Sequence, residues 1–594
     1  MKELLYLNKY LLKYKWHFLF GILFVVGSNY FGVLIPQEIR EALDFVNNEI
    51  QKYKGLDPTQ KSGEYSILSR VLMTFSLTVV GYALLKGFFM FMMRQTIIVM
   101  SRLIEYDLRK DLFHKLLTLD TKFFKINKTG DIMARMSEDI SKVRMYLGPA
   151  LLYGINIVAL FTFTIYTMFS VNAELSFYAL LPLPFLSISI FLVSKMINKR
   201  STVIQAQLSK LTSISQETYS GIRVVKSYAK EDSFVKYFAE ECDDYKEKSL
   251  DLARINAYFF PFMIFFISLS TLIVIYVGGL KVEAGTISPG NIAEFIIYVN
   301  MLTWPVTSIG WIASLVQQAA ASQERLNYLF NQTSEIKEGN PHSNFGNGDI
   351  VFENVSFSYP ETGIKALDDV SFRIKVGERV AVIGRTASGK STIAELLLRM
   401  YDPDQGRITI NGVDIKSFSF EELRSLVGYV PQDVFLFSDT ISQNIALGAN
   451  QNIEASRIAQ YAQYAGIRDE INDLDDGFET KIGERGVTLS GGQKQRVSIA
   501  RALATESKII ILDDSLSAVD PSTEQKILNY LDSELEGKTS IIITHRVTTL
   551  DNLDKVLVLE DGKIVENGSP DSLIKDEDGY YFKMVQQLNA RYEN

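Results

Sequence analysis

Hydrophobic and polar positions are distributed differently in the two parts of this 594-residue chain. Up to about Ser322, long apolar runs are separated by charged stretches; beyond it, the two kinds of position mix evenly. Six runs are apolar over a length that crosses a bilayer as helix. They are about Trp16–Ile35, Ile67–Met93, Tyr146–Phe169, Leu175–Val193, Ala257–Gly279 and Ile292–Val316, the last being the least apolar. Lys2, Lys9, Lys13 and Lys15 precede the first run, which puts the N-terminus in the cytoplasm. The polar excursions Thr96–Arg144 and Lys195–Arg254 are rich in Lys and Arg, read as helices and fall on the same side. The links Ser170–Glu174 and Leu280–Ser288 are short and external, and Gln37–Ser66 is a longer external loop. An even number of spans returns the C-terminal part to the cytoplasm. Lys86, Asn156, Glu294, Asn300 and Thr303 lie inside the runs. An ionisable group at that depth faces a cavity by default. Lys86 has the alternative of reaching an interface, and Glu294 that of standing in water at the external end of the sixth run.

These patterns divide the chain into a membrane region at 1–330, a polar linker at 331–348 containing Pro341, and a domain at 349–594. In that last domain strand-like runs alternate with helical ones, as in an α/β fold. Its organising stretch is Gly384-Arg385-Thr386-Ala387-Ser388-Gly389-Lys390-Ser391-Thr392, which fits the phosphate-binding pattern G-x-x-x-x-G-K-[ST]. Glycines let the backbone wrap so that several N–H groups aim at one anion. Lys390 brings a mobile positive charge to the outer phosphates, and Ser391 a hydroxyl for Mg²⁺. The apolar run Arg379–Ile383 before the loop and the helical run Thr392–Met400 after it place the phosphates on a helix N-terminus.

Further stretches add chemistry to that loop. Lys508–Asp513 is an apolar strand ending in a carboxylate, suited to holding Mg²⁺ or its water shell. Asp514 follows, where a base would polarise an attacking water. Val430-Pro431-Gln432-Asp433 offers a side-chain amide on a loop, and Ile541–His545 is an apolar strand ending in one of only four histidines. Tyr359, 25 residues before the phosphate loop, is an aromatic placed to stack on a base. Leu489-Ser490-Gly491-Gly492-Gln493-Lys494-Gln495-Arg496 opens a helix with a Ser and two glycines, a second anion-binding helix start. One domain needs one phosphate loop, so the second start makes sense against nucleotide held by another copy. Net charge −8 and a pI near 5.4 argue against a nucleic-acid partner bound by a basic surface. The single cysteine, Cys242, excludes an intrachain disulfide framework. No small-residue cleavage site follows the basic N-terminus, so no cleavable leader is expected.

Over essentially its whole length the sequence resembles the ATP-binding cassette family, as a half-transporter of the exporter type. The stretch LSGGQ, between a phosphate loop and an acidic strand end, is the most specific part of the likeness. The resemblance implies a six-helix all-α transmembrane domain fused to a cytoplasmic α/β P-loop nucleotide-binding domain, with ATP and Mg²⁺ as ligands. It implies that Tyr359 stacks on adenine, that Gly384–Thr392 bind phosphates, and that Ser391, Gln432 and Asp513 hold Mg²⁺. Ser490, Gly491, Gly492 and Gln493 would close on the partner's γ-phosphate. Ser517–Asp520 would cross the dimer, with Asp520 near nucleotide, and His545 would be a switch histidine acting with Asp514 and Gln432. Lys481–Gly486 is similar to an exporter loop, and Phe123–Thr129 and Thr218–Lys226 match coupling-helix regions. The implied assembly pairs two half-transporters in a cell (inner) membrane, both termini cytoplasmic, exporting lipophilic drugs or lipids. One position departs from the pattern: family members that hydrolyse well carry Glu where this chain has Asp514. In paired exporters that change often marks the slow-site subunit of a heterodimer, although His545 is retained, which leaves an active homodimer open.

Overall fold

The computed structural model describes residues 2–54, 58–340, 348–449, 453–483, 486, 488–515, 521–534, 536–545 and 553–592. The described chain forms two compact units: residues 1–117 with 130–332, and residues 118–129 with 333–594.

The first unit is helical. Among the described residues, six helices are long and apolar enough to cross a membrane: α1 (Lys15–Ile50), α2 (Leu68–Leu117), α4 (Thr129–Val171), α5 (Ala173–Ser220), α7 (Glu231–Glu283) and α8 (Pro289–Asn331). Five predicted runs lie wholly within them, and the second, Ile67–Met93, starts one residue before α2. The sixth has the lowest peak hydropathy, 1.3 against 1.6 to 2.3 for the others. The polar excursions are largely helix continuing out of the spans. Helix α7, for instance, runs 53 residues, about 80 Å at 1.5 Å per residue, far more than a bilayer needs. Such lengths hold together because Val33, Met168, Leu175, Ala179, Leu183, Phe295, Tyr298 and Val299 pack into one buried cluster from several helices.

Several polar groups at membrane depth find partners there or on their own helix, as apolar surroundings favour. Asn29 Nδ2 donates to Asn156 Oδ1 at 2.9 Å. Asn300 and Thr303 donate to carbonyls of their own helix, Ile296 and Val299. The Lys86 ammonium lies over Gly32, 3.5 Å from where a Cβ would stand. Glu294 is not in water at the end of α8: its side chain is 0% exposed. Arg40 approaches it at 3.3 Å, and it accepts hydrogen bonds from Tyr298 (3.0 Å) and Asn291 (3.2 Å). Its charged partner on α1, Arg40, holds this carboxylate inside, which its position near a helix start could not reveal.

The second unit is built on strands. One antiparallel sheet has the order β2-β1-β4-β5, from β1 (Ile350–Ser358), β2 (Lys365–Ile374), β4 (Gln405–Ile410) and β5 (Val413–Asp414). The other has the order β10-β9-β3-β8-β7-β6. It uses β3 (Arg379–Gly384), β6 (Val427–Val430), β7 (Ile509–Asp513), β8 (Thr539–Ile543), β9 (Lys555–Glu560) and β10 (Lys563–Gly568). Strands β9, β3, β8, β7 and β6 are parallel, and β10 is antiparallel to β9. Parallel strands covered on both faces read as continuous apolar runs, which is why β7 and β8 each carry three consecutive isoleucines. Their side chains alternate between two cores. Ile509, Ile511, Ile541 and Ile543 face one, and Ile510, Leu512 and Ile542 the other. The parallel register brings the carboxyl ends of β3, β8, β7 and β6 to one edge of the sheet, where α/β folds hold their ligands.

Candidate nucleotide site

Strand β3 ends at Gly384 and helix α9 (Lys390–Leu397) begins six residues later. The tight wrap between them needs glycine at two places. Gly384 has φ 147° and a Cβ there would stand 2.1 Å from the Leu559 carbonyl oxygen. Gly389 has φ 98° and its Cβ would stand 2.3 Å from the Ala366 oxygen. Between them Arg385, Thr386 and Ala387 are exposed while Ser388 is buried. Among the described residues the Ser388 hydroxyl has no hydrogen-bond partner, an unmet polar group inside the loop. Lys390 crosses back over the loop, its Nζ donating to the carbonyls of Gly384 (2.9 Å) and Arg385 (2.6 Å). Burial lowers the pKa of its ammonium from the ordinary range, against the pull of Asp513 and Asp514.

The end of β7 meets the start of α9. Ser391 Oγ donates to Asp513 Oδ1 at 3.1 Å. Burial pushes the Asp513 carboxyl above the usual carboxylate range, with Asp514 and Glu395 adding to the rise. The Ser391 hydrogen bond and the Lys390 charge oppose it. Asp514 sits in the left-handed region at φ 48°, its N–H donating to the Ile543 carbonyl at 2.8 Å. That turn aims its carboxylate at the end of β8, where His545 Nδ1 lies 2.9 Å from Asp514 Oδ1. With Nδ1–H given to the carboxylate, Nε2 of the exposed imidazole stays available to a ligand. Gln432 is exposed, two residues past the end of β6, whose last residue Val430 pairs with Leu512 beside Asp513. Tyr359 is half-buried just beyond β1; its hydroxyl is 2.9 Å from Thr392 Oγ1 and donates to Glu395 at 2.9 Å.

These residues fit a magnesium–triphosphate. The cradle excludes any side chain at Gly384 and Gly389, a hydroxyl inside it lacks a partner, and a hydroxyl–carboxylate pair stands at the helix start for the metal.

Ser490 caps helix α10 (Gly491–Leu503) in a reciprocal capping box with Gln493. The Gln493 side chain is also held by Glu470 at 2.9 Å, and Arg496 clamps the same carboxylate at 2.6 Å. Ser490 and Gly491 are exposed, Gly492 half-buried. Among the described residues, the Ser490 and Gln493 side chains bond within their own cap and to Glu470. The structure thus joins Lys390, Ser391, Asp513, Asp514 and His545 in one place and leaves Ser490 facing outward. Ser517–Asp520, with Glu484 and Arg485 of the exporter-like loop, lies outside the described residues. Glu395 and Glu470 were not singled out from sequence. Neither belongs to a spaced motif, and only the fold brings them to Tyr359 and to the α10 cap.

Two family models match the chain: "ABC transporter transmembrane region" over residues 18–306, and "ABC transporter" over residues 367–517. The probable multidrug resistance ABC transporter ATP-binding/permease protein YheI of Bacillus subtilis is 36% identical over 490 residues, covering 82% of this chain and 83% of the relative. The ATP-dependent lipid A-core flippase of Pseudomonas fluorescens is 32% identical, covering 81% of this chain and 79% of the relative. Among solved structures, a bacterial Atm1-family ABC exporter with ATP bound superposes with a TM-score of 0.78 at 25% identity, over 96% of this chain and 99% of that one. The chain therefore belongs to the ATP-binding cassette transporters, as an integral multi-pass membrane half-transporter of exporter type carrying one ATPase domain.

Proposed function

We propose that two such chains, or this chain and a related partner, export lipophilic or amphipathic compounds, drugs or lipids, by alternating access. The observation that carries this reading is the outward-facing Ser490–Gly491 helix start, bonded within its own cap and to Glu470. An anion-binding end that faces away finds its anion on another cassette. Each site is then formed by Gly384–Thr392 of one chain and Ser490–Gln493 of its partner, with Asp520 at the boundary. Tyr359 stacks on adenine, and Ser391, Asp513 and Gln432 hold the magnesium. When bound, ATP and Mg²⁺ supply the cleavable phosphoanhydride and the neutralising charge. Lys390 leaves its loop carbonyls for phosphate, Asp514 orients the attacking water, and His545, braced by Asp514, bonds the γ-phosphate through Nε2. Closure of the cassette pair shifts the membrane helices between two packed states. Phe123–Thr129 and Thr218–Lys226 carry the movement.

The flippase and multidrug names belong to relatives. They support a membrane-partitioning cargo here, with Lys86 at membrane depth as a cation for an acidic headgroup. The shortened Asp514 supports a finer reading: this chain is the slow-site subunit of a heterodimer in the inner membrane, both termini cytoplasmic. The test is reconstitution in liposomes. Under the proposal, a fluorescent amphiphile accumulates against its gradient only with ATP and Mg²⁺, and Lys390→Ala abolishes accumulation. ATP-gated leak down the gradient, without accumulation, would replace the exporter with a channel.

A further inference from the structure

Residues 118–129 leave α2 at Leu117 and rejoin the first unit at Gly130, yet they pack with the second. They carry the short helix α3 (Thr121–Ile126), capped by Asp120, whose carboxylate accepts from the Phe123 N–H at 3.1 Å and from the Glu335 N–H at 2.9 Å. At the end of α3 the Lys125 ammonium enters a cage. It lies 4.8 Å from the centre of the Tyr359 ring and 5.1 Å from that of Tyr401. The carboxylates of Glu361 and Glu395 stand 3.6 and 3.7 Å from it. Both acids serve the same rings: Tyr359 donates to Glu395, and Tyr401 donates to Glu361 at 3.2 Å. Glu395 lies on α9, one turn beyond Thr392, the last residue of the phosphate loop, which also bonds the Tyr359 hydroxyl.

We infer that Lys125 is a positioning residue for the nucleotide base. This rests on the reading of Tyr359 as the base-stacking ring. A cation on one face of an aromatic ring is held by the ring's quadrupole, so Lys125 helps fix the plane of Tyr359, against which Phe357 and Tyr401 also pack edge to face, 5.1 and 5.6 Å between centroids. Glu395 bonds both the ammonium and the Tyr359 hydroxyl, so ring plane, helix α9 and helix α3 are set together. An exposed ion pair alone contributes little; two rings and two shared carboxylates make this lysine specific to the position of Tyr359. The base-stacking surface is thereby tied to residues 118–129, whose chain continues into α2 on one side and α4 on the other.

The test uses the full chain reconstituted in lipid, with ATP, Mg²⁺ and inorganic tripolyphosphate, which has no base. Lys125→Met raises the KM for ATP about three- to tenfold with kcat nearly unchanged. Lys125→Arg, which also sits on aromatic faces, restores it. Inhibition by tripolyphosphate is unchanged in both, showing an intact phosphate loop. In a Tyr359→Ala background Lys125→Met has no further effect. An unchanged KM in Lys125→Met, effects that multiply with Tyr359→Ala, or parallel weakening of tripolyphosphate would each overturn the role of Lys125. If Tyr359→Ala alone leaves the KM for ATP unaltered, the stacking assignment falls instead.

Discussion

Replacing Asp514 by Glu extends the carboxylate by one methylene, roughly 1.5 Å, from a backbone that already points it at the end of β8. In the structure the Asp514 carboxylate reaches His545 Nδ1 at 2.9 Å, so the shorter acid is engaged by the imidazole. Misplacement of a catalytic group by about 1 Å costs roughly 10²-fold, or about 2.7 kcal/mol of barrier. The substitution is opposed by the backbone. Residue 514 sits at φ 48°, a conformation that Asp adopts more readily than Glu. That preference costs on the order of 1 kcal/mol, so a net gain of about tenfold or more in kcat remains, with the KM for ATP little changed. Steady-state phosphate release from the purified protein in lipid nanodiscs, alone and with any co-purified partner, measures it. A kcat within twofold of the parent, or below it, would refute the argument that a short carboxylate limits this site.

Lys390→Ala removes the charge that now rests on the Gly384 and Arg385 carbonyls; nucleotide binding at this loop falls by at least about tenfold in a fluorescent-ATP titration. Gly389→Ala puts a Cβ 2.3 Å from the Ala366 oxygen at φ 98°, so the loop must shift, and ATP binding weakens with a lower thermal midpoint. Asp513 has a folded-state pKa raised chiefly by burial. A raised pKa favours the folded state at low pH and loses that contribution as pH rises through it. Asp513→Asn therefore raises the thermal midpoint of the nucleotide-free protein at neutral pH, the gain shrinking on acidification, while Mg²⁺-dependent ATP protection is lost. Glu294→Gln removes the buried charge facing Arg40 and leaves that cation to the more exposed Glu41, 2.9 Å away, which lowers the melting temperature; Glu294→Gln with Arg40→Met recovers part of it.

Parts of the structure that depend on spacing were legible in the residues. The phosphate loop, the acid ending β7 and the histidine after β8 each follow an apolar strand, and parallel strands must bring such ends to one edge. The six spans were legible because hydrocarbon demands length and apolarity. Their polar continuations also read as helices, and α2 and α7 do stay helical well beyond the apolar stretch. Residues 118–129 carry no spacing or periodicity that assigns them to the second unit; bonds from Asp120, Thr121, Lys122 and Lys125 do. Glu294 looked like a residue near water because its partner, Arg40, is 254 positions away in sequence. Glu395 and Glu470 were invisible for the same reason: their roles arise from contacts that no local motif encodes.

The account stands on a nucleotide clasped between two chains. A photo-reactive amino acid placed at Leu489, beside the exposed Ser490, probes that clasp in membranes whatever the partner is. With ATP and Mg²⁺, and not without them, it should cross-link to a second polypeptide, and mass spectrometry should map the product to that chain's phosphate loop. Cross-links that ignore nucleotide, or that map to Gly384–Thr392 of the same chain, would contradict it.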